Sequence, residues 1–110
     1  MGIGMGDWVT VAQTGELAPG EFRAVDLDGT KAVVFNLEGQ YYAIEDVCTH
    51  DGGQLTGGTV EGDEIICPRH GARFCIRTGE ALTAPAYEPT ASFPVRTENG
   101  EIQVRDNRWD

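Results

Sequence analysis

Two histidines and three cysteines occur in the 110-residue chain, and four of these five residues fall in two short segments. The first reads Cys48-Thr49-His50 and the second Cys67-Pro68-Arg69-His70. The spacing is therefore C-x-H, sixteen residues, then C-x-x-H. Thiolate and imidazole are soft to borderline donors that suit zinc or iron–sulfur centres. A fold that uses this pattern must bring two loops face to face, each loop carrying one sulfur and one nitrogen donor. Zinc could close a tetrahedral Cys2His2 site from the four residues. Zinc sites of that kind usually pair cysteine with cysteine and histidine with histidine, a spacing this chain lacks. A two-iron cluster accounts for the mixture more simply, because facing loops can give both cysteines to one iron and both histidines to the other. Two core cysteines with incidental histidines form the remaining alternative.

The rest of the chain supplies a β scaffold for these loops. Fifteen glycines, about twice the usual share, lie scattered along the chain. Turn pairs recur about every ten residues, among them Asp28-Gly29, Glu38-Gly39, Gly62-Asp63 and Asn99-Gly100. Runs rich in β-branched and aromatic residues lie between them, at 8–11, 22–27, 32–37, 41–45, 64–67, 73–76, 93–97 and 102–105. Several alternate apolar with polar residues, as Ile102 and Val104 do with Gln103 and Arg105. That alternation marks half-buried antiparallel strands. Asn99-Gly100 between two such runs predicts a type I′ hairpin. No segment of ten or more residues has the 3.6 period of a helix, and Leu82–Thr90, with Pro85 and Pro89, reads as an extended loop. The expected fold is all-β, a sandwich or small barrel of short strands forming one domain over residues 1–110.

Charge narrows the partners. Eighteen acids against eight bases give a net charge of −10. Phosphate surfaces call for clustered lysine and arginine, so neither nucleic acid nor an anionic membrane is expected as a partner. A basic protein surface suits this field better, because opposite fields speed encounter. No apolar run is long enough to span a bilayer. The segment Met1–Gly6 lacks the basic and apolar regions of a secretory signal. Three cysteines are too few and odd in number for a disulfide scaffold, so a reducing, cytoplasmic setting is expected.

Cys48-Thr49-His50 and Cys67-Pro68-Arg69-His70-Gly71 resemble the two cluster-binding loops of Rieske proteins, and the resemblance extends over nearly the whole chain. It implies one [2Fe-2S] cluster per chain, with Cys48 and Cys67 on an inner iron and His50 and His70 on an outer iron near the surface. It implies an all-β, Rieske-type β-sandwich of three small antiparallel sheets, with a cluster-binding subdomain at one tip over about residues 46–75. Respiratory and photosynthetic members carry a further cysteine in each loop, joined as a disulfide; the matching positions here are Gly53 and Arg69, so no bridge can form. Those members also carry a serine and a tyrosine that donate to cluster and ligand sulfur, where this chain has Ala72 and Phe74. Hydrogen bonds to sulfur stabilise the more negative reduced state, so their absence points to the low end of the Rieske range, roughly −150 mV.

The chain is most similar to the soluble Rieske ferredoxin components of bacterial ring-hydroxylating dioxygenase systems. That likeness implies a monomeric electron carrier, docking transiently first to an NAD(P)H-dependent flavoprotein reductase and then to a terminal oxygenase. No nucleophile–base pair or substrate pocket is legible in the sequence, so a carrier is expected and not an enzyme. Alternatives are a small Rieske-like subunit of an NADH-dependent nitrite reductase, and a redox sensor or accessory in iron–sulfur metabolism. Around the loops, Arg69 and Arg73 are expected either to pair with Glu45, Asp46 or Asp51 or to bias the cluster's potential. Gly52, Gly53 and Gly71 read either as turn glycines or as openings for backbone N–H groups to reach sulfide. Cys75 reads as a buried, unreactive thiol, and Trp8 and Trp109 as packing residues.

Overall fold

The computed structural model describes residues 8–108. The strands are β1 (Val9–Gln13), β2 (Phe22–Leu27), β3 (Thr30–Leu37), β4 (Gln40–Glu45), β5 (Thr59–Glu61), β6 (Glu64–Ile66), β7 (Arg73–Cys75), β8 (Ser92–Phe93), β9 (Val95–Glu98) and β10 (Glu101–Val104). A 3-10 turn, Thr14–Glu16, follows β1. The strands form three antiparallel sheets, ordered β1-β10-β9, β2-β3-β4-β8 and β5-β6-β7. The expected all-β architecture of three small sheets is what forms. No helix among the described residues is long and apolar enough to cross a membrane.

Local chemistry sets the hairpins. Asp28-Gly29, Glu38-Gly39 and Asn99-Gly100 each put two successive residues at positive φ, from 52° to 100°. Each joins strands paired directly at the turn, as Leu27 with Thr30, Leu37 with Gln40 and Glu98 with Glu101. Such mirror-image turns match the right-handed twist of the strands they connect. Asparagine and aspartate tolerate the left-handed region and glycine adopts it freely.

β3 lies between two cores. Its residues 32–37 are all buried, and alternation divides them between the two faces. Val33, Phe35 and Leu37 pack with Ile44, Leu55, Ile65, Phe74 and Ile76, beneath the third sheet. Ala32 and Val34 pack with Leu17, Phe93, Ile102 and Val104, against the first sheet. A strand covered on both sides reads as a continuous apolar run, which explains Ala32-Val33-Val34-Phe35. Fully burying each large side chain here stabilises by roughly 1.5–3 kcal/mol.

Two expectations about strands change. The run at 93–97 is interrupted at Pro94, which cannot donate to a ladder, so β8 joins one sheet and β9 another. β5 was not foreseen; at three residues between Gly57-Gly58 and Gly62 it is too short to show alternation. The segment 82–90 is a loop, as expected, but it turns at Ala84-Pro85 and does not run extended throughout. The Leu82 N–H donates to the Arg73 carbonyl and the Thr90 N–H to the Gly79 carbonyl, each at 2.8 Å, and Ala81 just before it bridges to Phe74. Trp109 and Met1–Gly6 lie outside the described residues. Trp8 packs under two guanidinium groups, with Arg96 4.3 Å and Arg105 5.7 Å from its ring centre.

Candidate metal centre

The third sheet ends in two loops that face one another. One runs from Asp46 to Gly58 between β4 and β5, and the other from Cys67 to Ala72 between β6 and β7. Their backbones share one frame. The Cys48 N–H donates to the Gly53 carbonyl at 2.7 Å, and the Cys48 carbonyl accepts from the Gly52 N–H at 2.7 Å. The Cys67 N–H likewise donates to the Ala72 carbonyl at 2.7 Å, and its carbonyl accepts from the Gly71 N–H at 3.1 Å. Each loop thus turns back at a glycine four residues after its cysteine, with φ of +75° at Gly52 and +77° at Gly71. Those two are turn glycines, required by the left-handed backbone. The shared cysteine-to-glycine interval is legible in the sequence, although the cysteine-to-histidine intervals differ.

Burial then sorts the four donors by depth. Cys48 is 0% exposed and Cys67 2%, and both belong to the core that holds Phe35 and Phe74. His50 and His70 are exposed, their ring centres 5.1 Å apart and nearly perpendicular. The two sulfurs and an Asp51 carboxylate oxygen lie within 4.8 Å of one another, as do one nitrogen from each imidazole and an Asp51 oxygen. Among the described residues, no such set joins a thiol to an imidazole. A single tetrahedral zinc ion would need all four donors around one point. Donors gathered as a sulfur pair below and a nitrogen pair above suit a group with two metal atoms. Removal from water pushes the Cys48 thiol above its ordinary pKa. Metal ligation requires the thiolate, so a metal at this position would also remove a buried proton.

Other side chains hold the loops in place. Asp46, buried, accepts from the Leu55 and Thr56 N–H groups at 2.8 Å each, and from the Thr56 hydroxyl. Asp51 accepts from the Gly53 N–H at 2.9 Å and pairs with Arg69 of the opposite loop, Nε to Oδ2, at 2.5 Å. The Arg69 guanidinium and the Gly53 N–H hold the Asp51 carboxyl far below the usual carboxylate range. Thr49 donates to the Glu88 carbonyl at 2.6 Å, so the segment 82–90 braces the first loop. The expected pairing of Arg69 with Asp51 forms. Arg73 differs: it pairs with Glu61 at 3.0 Å and Glu64 at 3.2 Å on its own sheet, because β7 carries it away from the loops. Cys75 is half-buried, not buried, since Phe74 next to it takes the inward-facing position on β7. Asp46 and Gly53 were not singled out for the parts they play. Asp46 directly precedes the first motif's Val47-Cys48, but nothing in the sequence shows which N–H groups return to meet it.

Known proteins resemble this chain in sequence and in structure. Residues 7–94 match the sequence family described as Rieske [2Fe-2S] domain. The biphenyl dioxygenase ferredoxin subunit of Pseudomonas sp. (strain KKS102) is 37% identical over 94 residues, covering 84% of this chain and 86% of that one. The ferredoxin of carbazole 1,9a-dioxygenase from Nocardioides aromaticivorans IC177 superposes with a TM-score of 0.86 at 33% identity, over 91% of this chain and 98% of that one. A chain in a complex of reduced oxygenase and oxidized ferredoxin in carbazole 1,9a-dioxygenase superposes with a TM-score of 0.85 at 36% identity, over 89% and 92% of the two chains.

Proposed function

Because this chain belongs to the Rieske [2Fe-2S] domain family, we propose that it is the ferredoxin component of a ring-hydroxylating dioxygenase system, carrying single electrons from a flavoprotein reductase to a terminal oxygenase. The cluster subdomain is the stretch of about residues 46–75 within a single domain. Cys48 and Cys67 would hold one iron of the cluster and His50 and His70 the other. When bound, the cluster takes up and releases one electron.

The observation that carries this reading is the depth gradient across the four donors: thiols wholly buried, imidazoles exposed. Cys48 and Cys67 sit in a core of Phe35, Leu55 and Phe74, which keeps water from the sulfur end. His50 and His70 stand at the surface, where a docked protein can come within short reach of them. No acid–base pair is needed at such a tip; the residues only have to hold and insulate on one side and expose on the other. The oxygenase partner is supported by the related ferredoxin found in complex with an oxygenase. The reductase, a monomeric state and a cytoplasmic location are this reading's further parts; the location accords with three free cysteines.

The test is anaerobic electron delivery. The holoprotein is mixed with NADH and the flavoprotein reductase of a biphenyl-type dioxygenase system, and its visible absorption is followed. Bleaching is expected, then recovery on adding the oxidised oxygenase component. No bleaching at any ionic strength would overturn the electron-carrier role.

A further inference from the structure

We infer that the Arg69 guanidinium is a clasp that closes the two loops on the cluster and raises the cluster's reduction potential through an N–H bond to the Cys67 sulfur. The inference rests on the assignment of Cys48, His50, Cys67 and His70 as ligands. Arg69 Nε donates to Asp51 Oδ2 at 2.5 Å and Nη2 to Asp51 Oδ1 at 3.1 Å, a two-pronged pairing between loops. The same Nη2 donates to Cys67 Sγ at 3.4 Å. A planar fork can meet a carboxylate with two N–H groups and still direct one toward a third acceptor, which an ammonium cannot do in fixed geometry.

Gly53 shows that the approach is built in. A Cβ on Gly53 would lie 2.5 Å from Arg69 Cζ, 2.6 Å from Nη2 and 2.9 Å from Nε. Gly53 is not among the residues of positive φ, so its backbone does not call for glycine. Gly52 next to it is the reverse, with φ of +75° and nothing within 4 Å of its virtual Cβ. Gly53 is therefore bare to let the guanidinium lie across it. Asp51 is fixed in turn by the Gly53 N–H at 2.9 Å, so the anchor is held by the loop it belongs to. The clasp joins positions 51 and 53 of one loop to position 69 of the other, bringing together Gly53 and Arg69 from facing loops.

The sign of the effect follows from charge. Reduction adds negative charge to the cluster and its thiolates. An N–H donated to sulfur, from a group that is always cationic, stabilises the reduced state more than the oxidised one. Ala72 and Phe74, both fully buried, offer no side-chain donor. Arg69 therefore lifts the potential above what those two residues alone would set.

The experiment measures midpoint potential and iron retention against a chelator in the wild-type holoprotein, R69A, R69K and G53A. G53A leaves every charge in place but forces the guanidinium off its seat. R69K keeps the charge without the fork. The expected result is a potential lowered in R69A by about tenfold in the one-electron equilibrium, ~59 mV. A smaller fall in the same direction is expected in both G53A and R69K, with faster iron loss in all three. Should R69A fail to take up cluster, the potentials of G53A and R69K decide. Wild-type potential and wild-type iron retention in the variants that load would overturn the inference and leave the ligand assignment intact. A wild-type protein without iron and labile sulfide would overturn the ligand assignment itself.

Discussion

Asp46 ties the base of the first loop to the residues that leave it. Its carboxylate serves two backbone N–H groups and a hydroxyl, and the side chain is shut off from water. Replacing it with alanine leaves two N–H donors without their partner, each costing ~1–3 kcal/mol. Asp46→Ala is therefore expected to destabilise by about 2–6 kcal/mol in urea unfolding, with Asp46→Asn retaining part of the stability. The three cysteines separate just as sharply. Cys67→Ser should abolish iron binding, whereas Cys75→Ser, half-buried on the outward face of β7, should keep full iron content and cost under about 1 kcal/mol. Iron per chain distinguishes the two. At this scale the four candidate ligands stood out because rare residue types lie side by side, and the structure groups them as a thiol pair and an imidazole pair. Asp46 and Gly53 did not, because their roles depend on which residues the fold returns to them.

β3 couples the scaffold to the metal-binding loops. Phe35 is 1% exposed and shares a core with Cys48 and Cys67. Phe35→Ala is expected to cost ~3–5 kcal/mol in thermal or denaturant unfolding, and to speed iron loss as the wall behind the sulfurs collapses. A matching truncation in the other core, Ile102→Ala, should cost ~2–5 kcal/mol while leaving iron retention nearly unchanged. Most strands were legible from alternation, and β2 was read with the bounds it has. The turns were legible too, since Asp28-Gly29, Glu38-Gly39 and Asn99-Gly100 carry their own left-handed preference. The sheet to which a strand belongs was not. β1 pairs with β10 across most of the chain, and Pro94 sends two neighbouring strands to different sheets. Local pattern contains neither choice.

The whole molecule combines an exposed pair of imidazoles with a net charge of −10. A field of that size steers a basic partner and is screened over ~10 Å at 0.1 M salt but ~3 Å at 1 M. Raising salt across that range should slow the second-order rate of reduction by the flavoprotein reductase several-fold, as read by stopped-flow absorption. Independent of any partner is the proposed ligand set, two buried thiols and two exposed imidazoles holding a single two-iron, two-sulfide group. Metal and labile-sulfide analysis of protein purified without oxygen, joined to pulsed EPR of its reduced form, tests it most directly. About two iron and two sulfide per chain are expected, with nitrogen couplings from both imidazoles. Zinc in place of iron, or a reduced cluster lacking those nitrogen couplings, would contradict it.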